Sequence, residues 1–178
     1  FEGANFSDLW LTTNAETGEI SVRGKVHGAG DSQLLIRISA PDGSHCAEWS
    51  SAVDGEDFAT TLTIPSPQYW QPDNPCLYKL ECLVGQQARV TRSFGFRRLA
   101  CEDEQLLLNN QPVVLRGALN WGWYPEILCP APDEATIRDE FRRVREFGYN
   151  MIKLCLYVPS HLYFQIADEE GMLLWMEL

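Results

Sequence analysis

The side chains best suited to chemistry here are six cysteines, three histidines, an acidic run and a cluster of aromatic residues. Their spacing decides what each can do. Cys46, Cys76, Cys82, Cys101, Cys129 and Cys155 contain no C-x-x-C pair, and His27, His45 and His161 do not fall at ligand spacing from them. That pattern argues against a structural zinc, and no metal or cofactor is expected. The thiols read as buried free cysteines acting as small apolar side chains, with disulfides as the alternative in an oxidising compartment. Asp168-Glu169-Glu170 reads as the solvated face of a helix rather than a metal site, although its glutamates stand at the negative helix end. Trp121, Trp123 and Tyr124 either pack a core or offer an aromatic face to a ligand. His161 reads as a surface residue in the first turn of a helix.

The elements that must position these residues fall into two grammars. From Asp8 to Phe96 the apolar pattern has period two, broken by Gly, Asp, Asn and Ser clusters. Strands are predicted at Leu9–Thr13, Ile20–Val26, Gln33–Ser39, Cys46–Trp49, Phe58–Ile64, Leu77–Val84 and Arg89–Phe94. Seven strands in under a hundred residues predict a β-sandwich of immunoglobulin type, without the Cys-Trp-Cys signature of antibody domains. After Arg98 come Gln105–Leu108, Asn109-Asn110 and Pro112–Leu115, a hairpin whose Asn pair can take the positive φ of a primed turn. Ile137, Phe141, Val144 and Phe147 then recur at helical spacing, with Asp133 as N-cap and Gly148 beyond the C-terminus. Met151–Leu156 is a predicted strand, Ser160 caps a second helix that Gly171 ends, and Met172–Trp175 is a further strand. Alternation of helices with apolar strands predicts a parallel sheet.

Charge and composition exclude some partners. An apolar fraction of 45% with 22% charged residues suits a globular chain. With a net charge of -11, the chain would repel a polyanion, so nucleic acid is not an expected partner. No uninterrupted apolar run is long enough to span a bilayer, so a membrane is not expected either. Opening on Phe1 and closing inside the apolar segment Trp175-Met176-Glu177-Leu178, the sequence reads as a piece of a longer protein.

Several phrases resemble glycoside hydrolase family 2, the group of β-galactosidases, β-glucuronidases and β-mannosidases. Trp70-Gln71-Pro72-Asp73-Asn74-Pro75-Cys76-Leu77-Tyr78-Lys79-Leu80 resembles the stretch leading into that family's penultimate sandwich strand, and Phe94-Gly95-Phe96-Arg97 resembles its closing phrase. The two prolines are expected to hold this approach extended. Leu108-Asn109-Asn110-Gln111-Pro112 through Arg116-Gly117 is similar to the hairpin that introduces the family's barrel, with Arg116-Gly117 in strand one. Phe147-Gly148-Tyr149-Asn150-Met151-Ile152-Lys153 looks like its second strand, and Ala167-Asp168-Glu169-Glu170-Gly171 through Glu177 like its third.

The resemblance implies two domains: residues 1–98 as an all-β immunoglobulin-like sandwich, and residues 99–178 as an incomplete (β/α) TIM-barrel segment. Asn120 and Trp121 would follow strand one, Tyr157 would follow strand two and Glu177 would end strand three, at the edge where barrels place their sites. These four are the candidate sugar-binding residues. Glycosidic hydrolysis generally needs two carboxyl groups, and the family's two glutamates lie on later strands, the first in an Asn-Glu pair that is absent here. No catalytic residue is therefore expected in this chain. Gly122 stands where many relatives carry a histidine, and Lys153 and Leu156-Tyr157-Val158-Pro159 replace an Arg and a His-Tyr-Pro, which leaves the sugar open. The reading is a portion of a retaining glycosidase with a carbohydrate substrate, able to self-associate through its incomplete barrel. The alternative is a stand-alone β-sandwich carbohydrate-binding or interaction module, for which exposed Trp and Tyr on one sheet would be diagnostic.

Overall fold

A computed structural model describes residues 4–85, 88–125 and 132–177. They divide into two units, residues 1–69 with 76–98 and residues 70–75 with 99–178.

The first unit is a β-sandwich. One sheet has the order β1-β2-β5, from β1 (Asn5–Thr13), β2 (Glu19–His27) and β5 (Asp57–Thr63). The other has the order β4-β3-β6-β7, from β3 (Gln33–Ser39), β4 (His45–Ala52), β6 (Tyr78–Val84) and β7 (Ala88–Phe94). All pairings are antiparallel. The alternation that predicted the strands is the alternation of burial: Ile20 and Val22 on β2, Leu34, Ile36 and Ile38 on β3, and Leu80, Cys82 and Val84 on β6 are 2% exposed or less. Each Ile or Leu so buried contributes roughly 1.5–3 kcal/mol. Tyr78 packs its ring 5.6 Å from Phe94 and 5.3 Å from Phe96, and its hydroxyl accepts from Gln68 N at 2.8 Å. That bond satisfies the one polar atom of a side chain otherwise buried, as a core tyrosine requires. Gly18, at φ +72°, cannot be replaced without cost, because an added Cβ would lie 2.1 Å from Ile64 O.

The second unit begins with a small sheet of order β10-β9-β8, from β8 (Leu99–Glu102), β9 (Gln105–Leu108) and β10 (Gln111–Pro112). Asn109 and Asn110 have φ of 53° and 66°, the double positive φ of a primed turn. Asp103 and Glu104 repeat this in the preceding turn, at 48° and 63°. The predicted second hairpin strand is only two residues long.

Next follow β11 (Gly117–Asn120), α1 (Glu134–Glu146), β12 (Met151–Cys155), α2 (His161–Glu170) and β13 (Leu173–Glu177). The three strands form a parallel sheet in the order β11-β12-β13. Asp133 caps α1 by accepting from Thr136 N at 2.8 Å. Ile137 and Phe141 of α1 pack with Ile152 and Leu154 of β12 and with Tyr163 and Ile166 of α2.

Three expectations about local packing fail. Phe147 is 79% exposed, because α1 ends at Glu146 and Gly148, at φ +80°, turns the chain before a fourth apolar residue reaches the core. Ser160 has the extended backbone of a cap but makes no side-chain cap bond, and its hydroxyl is buried without a partner. The Pro72 approach is not simply extended either: Gln71 and Asn74 exchange backbone hydrogen bonds of 3.1 and 3.0 Å around a turn.

That turn belongs to the second unit. Trp70, 1% exposed, donates its indole N–H to Asp168 O at 2.7 Å and accepts from Asn109 Nδ2 at 2.9 Å through its carbonyl. Gly171 ends α2 at φ +71°, and a Cβ there would sit 2.2 Å from Pro72 O. Glu169 and Glu170 are not simply solvated: Arg138 of α1 donates to both and to Glu134. This guanidinium offsets the unfavourable placement of two carboxylates at a helix C-terminus. Among the described cysteines all are free thiols; Cys76, Cys82 and Cys155 are buried, whereas Cys46 is half-buried and Cys101 exposed, on a hairpin too short to cover it. Cys129 lies outside the described residues.

Candidate functional site

The register of the parallel sheet sorts the four candidate residues. Asn120 pairs with Leu154 and Ala118 with Ile152, whereas Lys153 pairs with Trp175 and Cys155 with Glu177. Because side chains alternate along a strand, Asn120 shares the helix-covered face with Ile152 and Leu154, and Glu177 shares the opposite face with Lys153 and Trp175. The C-terminal edge therefore carries the candidates, but on two faces.

On the open face Lys153 Nζ lies 2.9 Å from Glu177 Oε2 and 5.8 Å from the centre of the Trp175 ring. The Lys153 ammonium holds the Glu177 carboxyl below the usual carboxylate range. Glu177 is thus an ionised acceptor, already paired with a cation.

On the helix face Asn120 joins a polar cluster that the sequence did not announce. Glu140 of α1 accepts from Asn120 Nδ2, from Tyr124 Oη at 2.9 Å and from Tyr163 Oη at 3.1 Å. Asn120 Oδ1 accepts from Gly122 N at 2.6 Å, which closes the chain around the end of β11. Desolvation raises the Glu140 carboxyl above its ordinary value, against the pull of the three hydrogen bonds. The Tyr124 and Tyr163 hydroxyls are pushed up by the same burial. The sequence signal was available: Glu140 falls inside the apolar stripe of α1, between Ile137 and Val144, where a solvated glutamate has no reason to be.

Trp121 and Trp123, 52% and 72% exposed, flank Gly122 in the loop after β11. Gly122 has φ +74°, and a Cβ there would lie 2.9 Å from the Tyr157 ring. A histidine at this place is incompatible with both constraints as the loop stands. Tyr157 follows Leu156, a non-glycine residue at φ +59°. Its hydroxyl is buried and makes no bond of hydrogen-bond geometry, although Tyr124 stands near enough to temper the rise to about 12 that burial causes. A cleft of about 450 Å³ is lined by Leu119, Asn120, Trp121, Trp123, Tyr124 and Glu140, among others. It brings Asn120 and Trp121 together; Tyr157 and Glu177 do not line it.

In the first unit, Ser7 Oγ lies 2.8 Å from His27 Nε2, and His27 Nδ1 lies 3.1 Å from Glu56 Oε1. Glu56 is 61% exposed, so this is a surface pairing open to water, where such contacts are weak. No group of three or more metal-ligating side chains occurs among the described residues. No helix among them is long and apolar enough to cross a membrane.

The chain belongs to glycosyl hydrolases family 2, whose sequence pattern matches residues 4–97, more than half of its length. It is 32% identical to β-galactosidase 2 of Enterobacter cloacae over 123 residues, covering 66% of this chain and 12% of that relative. The β-galactosidase of Kluyveromyces lactis is 24% identical over an alignment covering 94% of this chain and 19% of its own length. Among solved structures, a β-glucuronidase of Bacteroides uniformis superposes with a TM-score of 0.84 at 23% identity, over 99% of this chain and 24% of that one. β-Glucuronidase 3 of the same organism gives 0.81 at 27% identity, covering 98% and 23%. The chain thus spans between about an eighth and a fifth of the length of these two curated relatives.

Proposed function

We propose that this chain supplies the immunoglobulin-type sandwich (residues 1–98) and the opening strands of the (β/α)8 catalytic barrel (residues 99–178) of a retaining glycoside hydrolase. It contributes part of the sugar pocket and holds neither catalytic glutamate. The observation that carries this reading is the parallel order of β11, β12 and β13, with Trp121, Tyr157 and Glu177 following or ending them at one edge. Barrel enzymes build their sites at that edge. Trp121 offers an aromatic face to a pyranose, Glu177 on the opposite face of the sheet offers an acceptor, and Asn120 acts from beneath by shaping the loop that carries Trp121. The likeness to β-galactosidases and β-glucuronidases supports a carbohydrate substrate for the whole enzyme. The helix-free face of the sheet is the barrel interior, and its exposed Leu119 and Trp175 favour self-association of the chain alone.

A second reading, a carbohydrate-binding sandwich module, draws on Trp10, which is 60% exposed on the β1-β2-β5 sheet with the Arg23 guanidinium 5.8 Å from its ring centre. One aromatic ring offers less than the row such modules need. The deciding experiment is hydrolysis of a panel of aryl β-glycosides by this chain, with a β-galactosidase relative as positive control. Release of the aryl alcohol by the control alone is the expected result, and turnover by the chain would sink the claim that both glutamates lie elsewhere.

A further inference from the structure

We infer that Glu140 of α1 is a positioning residue that sets the Trp121–Tyr124 loop through Asn120. The inference rests on the sugar-pocket reading above for its purpose, but its mechanics stand on the cluster alone. The Glu140 carboxylate takes donors from three elements: Asn120 at the end of β11, Tyr124 in the loop that follows and Tyr163 in α2. Carboxylate oxygens only accept, so the Asn120 amide must turn its NH₂ toward Glu140, where the Tyr124 and Tyr163 hydroxyls also lie within 3.3 and 3.4 Å. That leaves Oδ1 on the other side, where it accepts from Gly122 N at 2.6 Å. An amide flipped by half a turn would set a donor against the Gly122 N–H and lose both interactions. Gly122 in turn is wedged against the Tyr157 ring at a φ that only glycine adopts without strain. The conformation of the chain between the two exposed tryptophans is therefore fixed from below by one carboxylate, and Trp121 and Trp123 are presented on its two sides.

The test is 19F NMR of the chain labelled with 5-fluorotryptophan, which reports separately on Trp10, Trp49, Trp70, Trp121, Trp123 and Trp175 after assignment by single Trp→Phe variants. Glu140→Ala is expected to shift and broaden the Trp121 and Trp123 lines and to leave Trp10, Trp49, Trp70 and Trp175 in place. Glu140→Gln, which keeps a carbonyl acceptor for the Asn120 amide, is expected to restore both lines. Should Glu140→Ala unfold the whole second unit, Asn120→Ala decides the matter, because it removes the link while leaving Glu140 bonded to both tyrosines. Shifts confined to Trp121 and Trp123 in that variant support the inference. Unmoved lines, or Trp70 and Trp175 moving together with them, overturn it. Titration of the unsubstituted chain with methyl β-D-galactoside and methyl β-D-glucuronide separates the two ideas. A Trp121 line indifferent to both sugars, in a chain that still follows the Glu140 pattern, removes the pocket and leaves the positioning intact.

Discussion

The two units treat their sheets in opposite ways. The sandwich closes its two sheets on each other, whereas among the described residues the parallel sheet β11-β12-β13 packs α1 and α2 on one face and leaves Leu119 and Trp175 exposed on the other. Of the twelve large apolar side chains left exposed among the described residues, only Trp10 belongs to the first unit. On the helix-free face of the parallel sheet these include Leu119 and Trp175. Among the described residues, the chain thus pairs a sandwich core between two sheets with a core between one sheet face and two helices.

That contrast can be broken by substitution, and the largest effect belongs to the sandwich core. Leu80→Ala in β6 removes a side chain with no exposed surface, and chemical denaturation should show a loss of about 2–5 kcal/mol. Leu119→Ala in β11 removes a side chain of similar size that is 52% exposed, and should change stability by less than about 0.5 kcal/mol. Equal losses would mean that the parallel sheet buries both faces.

Gly171→Ala sharpens the comparison from within the second unit. The added methyl meets Pro72 O and the residue keeps a left-handed φ, which together cost about 2–4 kcal/mol. A circular-dichroism melt should lose its helical transition at lower temperature while the β signal of the sandwich melts unchanged; a parallel fall of both signals would deny the two units separate stabilities.

Protonation offers a smaller lever. The Glu140 carboxyl is raised in the folded chain, so the native state binds the proton more tightly than the unfolded one. Its contribution to stability is accordingly lost as pH climbs from the ordinary carboxylate value through the raised one, opposite to the usual acid denaturation. The helical transition should weaken across that window in the wild type and hold level in Glu140→Gln, while the sandwich transition ignores the substitution. Leu156→Gly relieves a left-handed leucine and should stabilise the second unit by about 1 kcal/mol in the same melts.

The sandwich was legible because its strands are half-buried, and alternation at period two is the direct imprint of burial on sequence. Gln33–Ser39 and Gln105–Leu108 are predicted to the residue, and the Asn109-Asn110 turn follows from side chains that tolerate positive φ. Asp103-Glu104 adopts the same conformation although Glu104 is not a residue that favours positive φ, so the turn is harder to read from the sequence. Phe147 fits the helical period and still faces water, because period says where a side chain would point if the helix continued. The candidate site was legible by position along the chain but not by face. Asn120 and Glu177 both end strands, yet strand register sends them to opposite sides of the sheet. Glu140 escaped because a lone carboxylate inside an apolar stripe reveals its partners only once Asn120, Tyr124 and Tyr163 converge on it.

Amide hydrogen exchange of this chain measures the difference between the two units directly. The expected result is that β3 and β6 exchange only through global opening of the sandwich, while β11 and β13, the edges of a sheet with Leu119 and Trp175 exposed on one face, exchange orders of magnitude faster. Protection of β11 and β13 equal to that of β3 and β6 would contradict it.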